Sequence, residues 1–233
     1  MRTRFFLLVV TLLISFKSYS FDDMHFYVPD FPPYTQLDSE GSPSGIGTDA
    51  VKQVLDAMDV SYTITVSSNH GRALQEVRKQ QSDGFFMASQ NSERDTYAEF
   101  SESLMSNRWV WIIRQENGRN FKPYDSTFKK QSTVASLLNT NTHRWLKVNG
   151  YSSIHAATSV IELKDKLDSG AVMAILIAEM TFLDTVSETD DYEIILEQEK
   201  AFGMYISKHY LSNNPDFMFK LNQAIRVYRA QKR

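Results

Sequence analysis

From residue 21 onward the chain alternates between two patterns, and that alternation restricts the fold more than any other feature. "SYTITV" (61–66) is β-branched and alternates, as a strand does. "DAVKQVLDAMDV" (49–60) before it carries Val51, Val54, Leu55 and Met58 on one helical face, with Thr48 or Asp49 available as its cap. "GRALQEVRKQQ" and "DGFFMAS" then give a second helix and a short buried strand. Strands separated by helices pair in parallel, because the helix carries the chain back to its starting end. "MHFYVPDFPPY" opens this set as a strand that breaks at Pro29, Pro32 and Pro33, and "DSEGSPSG" is a turn-rich loop. The result is βαβαβ.

A second, similar set follows. "RWVWIIRQ" (108–115) is a strong strand, followed by a polar loop around "QENGRNFKPYDST". "STVASLL" reads as a strand and "TNTHRWLKVNG" as a helix stopped by Gly150. "SVIELKDKLDSG" is an amphipathic helix with its own terminal glycine, Gly170, and "AVMAILIAEMTFLDTV" divides into a buried strand and a helix. "YEIILEQ" and "FGMYISK" are strands, and a closing helix carries Phe217, Leu221, Ile225 and Tyr228 along one side. Two α/β lobes with a cleft between them fit this order. Ligands of open α/β sheets sit beyond the carboxyl ends of the strands and often between domains.

The first twenty residues stand outside the alternation. Arg2 and Arg4 precede an apolar run from Phe5 to Phe16, and Ser18-Tyr19-Ser20 places small residues where a signal peptidase reads. The run is short against the roughly 20 residues a spanning helix needs, so residues 1–20 are expected to be a cleaved signal peptide. Cleavage removes Arg2, Arg4 and Lys17, leaving 22 basic residues against 28 acidic ones, a net of −6. That balance argues against a nucleic-acid partner. With no cysteine, the exported chain relies on its core, not disulfides, and has no cysteine for a lipid anchor. A monomeric protein of the bacterial periplasm is expected. No spacing among the five histidines suggests a metal, and no glycine-rich phosphate loop or Ser–His–Asp set suggests a cofactor or a catalytic residue.

Two stretches carry a resemblance. "FPPYTQLDSEGSPSGIGTDAVKQVL" has an aromatic, prolines, an aromatic, a glycine loop, then G-x-x-x-D and an apolar helix. "SDGFFMASQNSERDTYAEFSESL" starts a strand at an aspartate, then gives Ser, Glu-Arg, and an aromatic-Ser-x-x-Leu ending. Both resemble the periplasmic solute-binding proteins of family 3, which include the polar amino-acid binders of ABC transporters. The likeness runs over about 21–233 and is stronger before residue 130. It implies a type II periplasmic-binding-protein fold: two lobes, each a sheet flanked by helices, joined by two hinge strands. By analogy, lobe 1 would be 21–107 with 201–233, and lobe 2 would be 108–200.

The resemblance also implies ligand-binding roles. Arg94 would grip the ligand's carboxylate through paired charge-assisted hydrogen bonds; read on spacing alone, it would be a surface charge paired with Glu93 or Glu99. Ser89 would offer a hydroxyl to the ligand, or serve as a turn residue. Phe31 would pack on the ligand, with Tyr34 either beside it or in the core behind it. His70 is a cavity wall, like the bulky residue of many relatives, or an exposed loop residue. Arg72 caps the cleft or faces water. Thr140 and Asn141 would present a helix N-terminus to the same carboxylate, or form a plain cap.

At one position the pattern fails. Amino-acid binders usually end a second-lobe strand with an aspartate that pairs with the α-ammonium, and here that position is Ala178. An earlier acid is replaced by Met173, and Glu179 is adjacent but on the other face of a strand. A carboxylate grip is supported, and an α-amino grip is not. The expected function is capture of a small carboxylate-bearing solute for a membrane permease. The alternatives are sensing with a separate membrane receptor, or a cyclohexadienyl-dehydratase-like reaction using His70 and Glu179 as acid and base.

Overall fold

A computed structural model describes residues 21–67 and 69–232, so the expected signal peptide lies outside the described residues. The first lobe opens with β1 (Met24–Pro29), a small hairpin of β2 (Gln36–Leu37) and β3 (Pro43–Ser44), α1 (Ile46–Asp56), β4 (Tyr62–Ser67), α2 (His70–Arg78) and β5 (Gly84–Ala88). β6 (Ala98–Phe100) follows, then a long strand, β7 (Met105–Arg114), that leaves the lobe. The second lobe holds α3 (Ser126–Gln131), β8 (Thr133–Leu137), α4 (Asn141–Val148), β9 (Ser153–Ala157), α5 (Val160–Asp168), β10 (Ala174–Ala178) and α6 (Glu179–Thr185). β11 (Tyr192–Ser207) returns, and α7 (Lys208–Asn213) and α8 (Phe217–Gln231) close the first lobe.

Both lobes use one plan. In the first, β1 pairs in parallel with β4 and β5, and β11 joins antiparallel on β5. In the second, β8 pairs in parallel with β9 and β10, and β7 joins antiparallel on β10. The central strand is thus the first of its set, as right-handed βαβ crossovers on both sides produce. β5 and β10, flanked on both sides, are buried at every position, which is why "GFFMA" and "AILIA" run apolar without alternating. Gly84 has a packing reason: a Cβ there would lie 2.4 Å from the Tyr205 carbonyl oxygen.

"YEIILEQ" and "FGMYISK" prove to be one sixteen-residue strand. Its first part pairs with β7 from Tyr192–Arg114 to Phe202–Met105, and its last residues pair with β5 and β6. β7 and β11 therefore cross between the lobes side by side as a ribbon. The polar stretch after β7 is more ordered than a loop: a 3₁₀ turn over Gln115–Asn120 leads to α3, capped by the Asp125 carboxylate. α1 begins earlier than the sequence suggests, at Ile46 behind Gly45, and neither Thr48 nor Asp49 caps it. Gly45 has φ +112, and a Cβ there would sit 2.6 Å from the Tyr34 carbonyl, so only glycine makes this entry. Among the described residues no helix is long and apolar enough to cross a membrane.

Candidate functional site

The site begins where β5 ends. Across from it, β11 pairs Met204 with Phe86 but Gly203 with Ala88, so Met87 is an extra residue in a bulge. Met87 has φ 53, a left-handed conformation that is uncommon without glycine. Its side chain lies against Gly47, where a Cβ would come within 2.3 Å of the Met87 Cγ. A bulge re-aims the residues beyond it, and here those residues are Ala88 and Ser89, on the wall of the cleft between the lobes.

Arg94 sits in a short 3₁₀ turn just beyond and is 4 % exposed. Its Nη1 donates to the Ser89 carbonyl at 2.9 Å, and its guanidinium lies 5.5 Å from the Phe85 ring centroid. Burial is the largest influence on its pKa and pulls it below the ordinary value. A guanidinium still stays charged, and among the described residues no carboxylate lies in ion-pair range of it. The expected alternative, pairing with Glu93 or Glu99, is not found: Glu93 turns outward to Arg78 and Arg144 instead. The Ser89 hydroxyl is buried and has no hydrogen-bond partner, a state that costs about 1–3 kcal/mol unless something arrives to satisfy it.

Phe31 and His70 form the adjacent wall, ring edge to ring face at 4.8 Å. His70 is thus a wall residue and not an exposed one. Burial, and secondarily the charge of Arg94, pushes its pKa down to about 3, so it is neutral at physiological pH. Tyr34 is not brought to the wall. Its ring stacks behind Phe31 at 5.4 Å and meets Phe202, and its hydroxyl donates to Asn107 at 3.4 Å, which makes it core. Arg72 lies away from this wall and pairs with Glu76.

The second lobe contributes α4 and the end of β10. The Thr140 hydroxyl accepts from the His143 N–H, the plain cap, and Thr140, Asn141 and Thr142 all reach the cavity. Asn141 spans the cleft: its Nδ2 donates to the Ser89 carbonyl at 2.8 Å, and its Oδ1 accepts from Asn91 at 2.6 Å. Ala178 lines the cavity as expected for its position, so a methyl stands where an acid would. Glu179 does not replace that acid. It opens α6 and pairs with Arg108 at 3.2 Å, outside the cavity lining, so the acid–base pairing of His70 with Glu179 is not assembled. Asn107 and Trp109, which sequence reasoning passed over, also line the cavity. Alternation along β7 puts them on one buried face with Arg108 outward, and that signal was present in "NRW".

The inner chamber these residues enclose is about 40 Å³, room for a very few water molecules. Beyond Asn141 lies a larger outer chamber of about 550 Å³ between α2 and α4, and Arg94 lines both. The lobes are closed on each other, with Asn141 where a ligand would compete for the same groups.

A sequence profile of bacterial extracellular solute-binding proteins, family 3, matches residues 26–233. The chain belongs to this family. No curated protein sequence matches it significantly. Among solved structures, holo ArgBP from T. maritima is 18 % identical, covers 88 % of this chain and 90 % of its own, and superposes with a TM-score of 0.70. A histidine kinase sensor domain with similarity to periplasmic binding proteins is 13 % identical over 91 % and 92 %, with a TM-score of 0.74. The ancestral amino-acid-binding protein AncCDT-1, a precursor of cyclohexadienyl dehydratase, is 16 % identical over 88 % and 89 %, at 0.71. At these identities the structural likeness establishes the two-lobe periplasmic-binding-protein fold and nothing finer; the family rests on the profile match.

Proposed function

We propose that this family 3 protein captures a small carboxylate-bearing solute between its lobes and delivers it, unreacted, to a membrane permease or receptor. The observation that carries the reading is Arg94: a guanidinium 4 % exposed, without a carboxylate partner among the described residues, in a cleft with the unpartnered Ser89 hydroxyl beside it. A buried cation without a counter-charge is costly, and a carboxylate ligand would supply that charge and two acceptors in the geometry a guanidinium fits. Ser89, Phe31, His70, Thr140 and Asn141 complete the binding wall, and Tyr34 supports Phe31 from behind. The methyl of Ala178 favours a ligand without an α-ammonium group, which would otherwise be left unpaired. Residues 21–107 with 201–233 would move as one lobe and 108–200 as the other, about the β7–β11 ribbon. The expected setting is the periplasm, reached by cleavage of residues 1–20, with the protein acting as a monomer.

The test is a thermal-shift screen of residues 21–233 against amino acids, organic acids and cyclic carboxylates, with Arg94→Ala beside the wild type. A ligand of the folded state raises the melting temperature by mass action. Hits should weaken at least about tenfold in Arg94→Ala, the loss expected for charge-assisted hydrogen bonds. Hits indifferent to Arg94 would leave it structural. Product formed from a cyclic carboxylate would favour an enzyme instead.

A further inference from the structure

The outer chamber has a composition the carboxylate grip does not explain. Its wall carries Arg72, Arg78, Arg94, Arg144 and Lys147, and Glu93 is the only carboxylate among its lining residues. Arg72 is offset by Glu76 behind it, and Glu93 is shared between Arg78 and Arg144. Lys147 has no ion-pair partner among the described residues, and neither does Arg94. Positive charge therefore exceeds negative charge in this chamber, on a chain whose formal net charge is −3. Local surplus against the global sign favours an anion in this solvent-open groove, whose arginines Arg72, Arg78 and Arg144 are 61 %, 40 % and 42 % exposed and so act through screened attraction.

The charges also act on one another. Burial is the main cause of the downward shifts of Arg94 and His143; Arg144 adds to the first against the opposing pull of Glu93, and Lys147 adds to the second. The cations span the lobes: Arg72 and Arg78 sit on the α2 side, and Arg144 and Lys147 on α4. An anion placed between them would draw the two helices together, adding to the links through Glu93 and Asn141.

We infer that the ligand carries a second anionic group, which occupies the outer chamber between α2 and α4 while its first carboxylate lies on Arg94. This rests on the carboxylate reading of Arg94 and extends it to a ligand class: compact dianions, with the Asn141 side chain displaced to let them span both chambers. The sizes agree with this division. The inner chamber is about 40 Å³, too small for more than one terminal group, and the outer is about 550 Å³.

The test compares dicarboxylates from malonate to adipate with the monocarboxylate of equal length, from propionate to hexanoate, by thermal shift at constant ionic strength. Four proteins are used: wild type, Arg144→Gln/Lys147→Gln, Arg94→Ala, and Lys130→Gln as an exposed control for loss of one charge. At least one diacid should raise the melting temperature more than its monoacid partner. That excess should vanish in the Arg144→Gln/Lys147→Gln variant and persist in Lys130→Gln. Equal or absent shifts for diacids and monoacids in the wild type overturn the inference, as does an excess that survives in the double variant. Monoacid and diacid shifts that are both unchanged in Arg94→Ala would instead overturn the carboxylate grip itself, so the two failures are distinct.

Discussion

Ser89 and His70 are set up in opposite ways for the same cavity. The Ser89 hydroxyl is a buried polar atom without a partner. Ser89→Ala should therefore leave the unliganded protein as stable as before, or slightly more so, while ligand affinity falls by about 0.5–1.5 kcal/mol, roughly twofold to tenfold. Calorimetric titration together with a denaturant melt separates the two effects. His70 has a folded pKa of about 3, well below its value of 6.5 in an unfolded chain. Between these values the unfolded state binds the extra proton, so stability rises with pH across the window and is lost on acidification below about 6.5. Over pH 6.5 to 5 the slope from this residue is at most about 1.4 kcal/mol per pH unit. His143 is shifted the same way by burial and adds to it. Melting temperature against pH should be visibly flatter in His70→Gln than in the wild type; equal slopes would mean that His70 titrates freely in the fold.

At the scale of elements, α4 joins structure to site. Thr140 accepts from His143 N–H and donates to the Leu137 carbonyl at 2.6 Å, which fixes the angle at which Asn141 enters the cleft. Thr140→Ala should cost about 1 kcal/mol of stability by denaturant unfolding, and Thr140→Ser should recover most of it. The sequence made this helix and its cap legible, because "TNTHRWLKVNG" carries both the cap residue and the stop at Gly150. It made most strands of the two sets legible for the same reason: they are bounded by glycine, proline or a cap. Where the pattern is weak, reading failed. "SIHAA" is β9, an edge strand with two exposed residues and little apolar signal. β11 reads as two strands because Glu199, Lys200 and Ala201 interrupt its apolar run; they lie on the exposed ribbon, where pairing with β7 and not burial holds the strand. Nothing local reveals the Met87 bulge, since its cause is distant: the register of β11 and the missing side chain of Gly47. For the site, Arg94 and Ser89 could be found from their flanking motif, whereas Tyr34 could not be assigned to core or wall until Phe202 and Asn107 were seen behind it.

For the molecule as a whole, the polar contacts that hold the lobes shut are few, beside the packing of Ala178 and Leu137 against the core of the first lobe. Glu93 lies between Arg78 of the first lobe and Arg144 of the second, and Asn141 reaches across to Asn91 and the Ser89 carbonyl. Half-exposed ion pairs contribute only about 0.2–1 kcal/mol each and are screened by salt. In the absence of ligand, Glu93→Gln should therefore shift the population toward an open form, with a larger radius of gyration in solution scattering. High salt should do the same to the wild type. An unchanged radius would mean that the hinge, not the cleft, sets the resting angle. That hinge is the pairing of β7 with β11, unbroken but for a register shift between Leu196 and Gln198. Two bonded strands resist stretching and shear but yield to torsion, so the lobes would turn like covers on a common spine, with no backbone hydrogen bond having to break as they part. The amides of that spine should thus stay equally slow to exchange with deuterium whether the mouth is open or shut, and capture of a solute would register there as a change of angle alone.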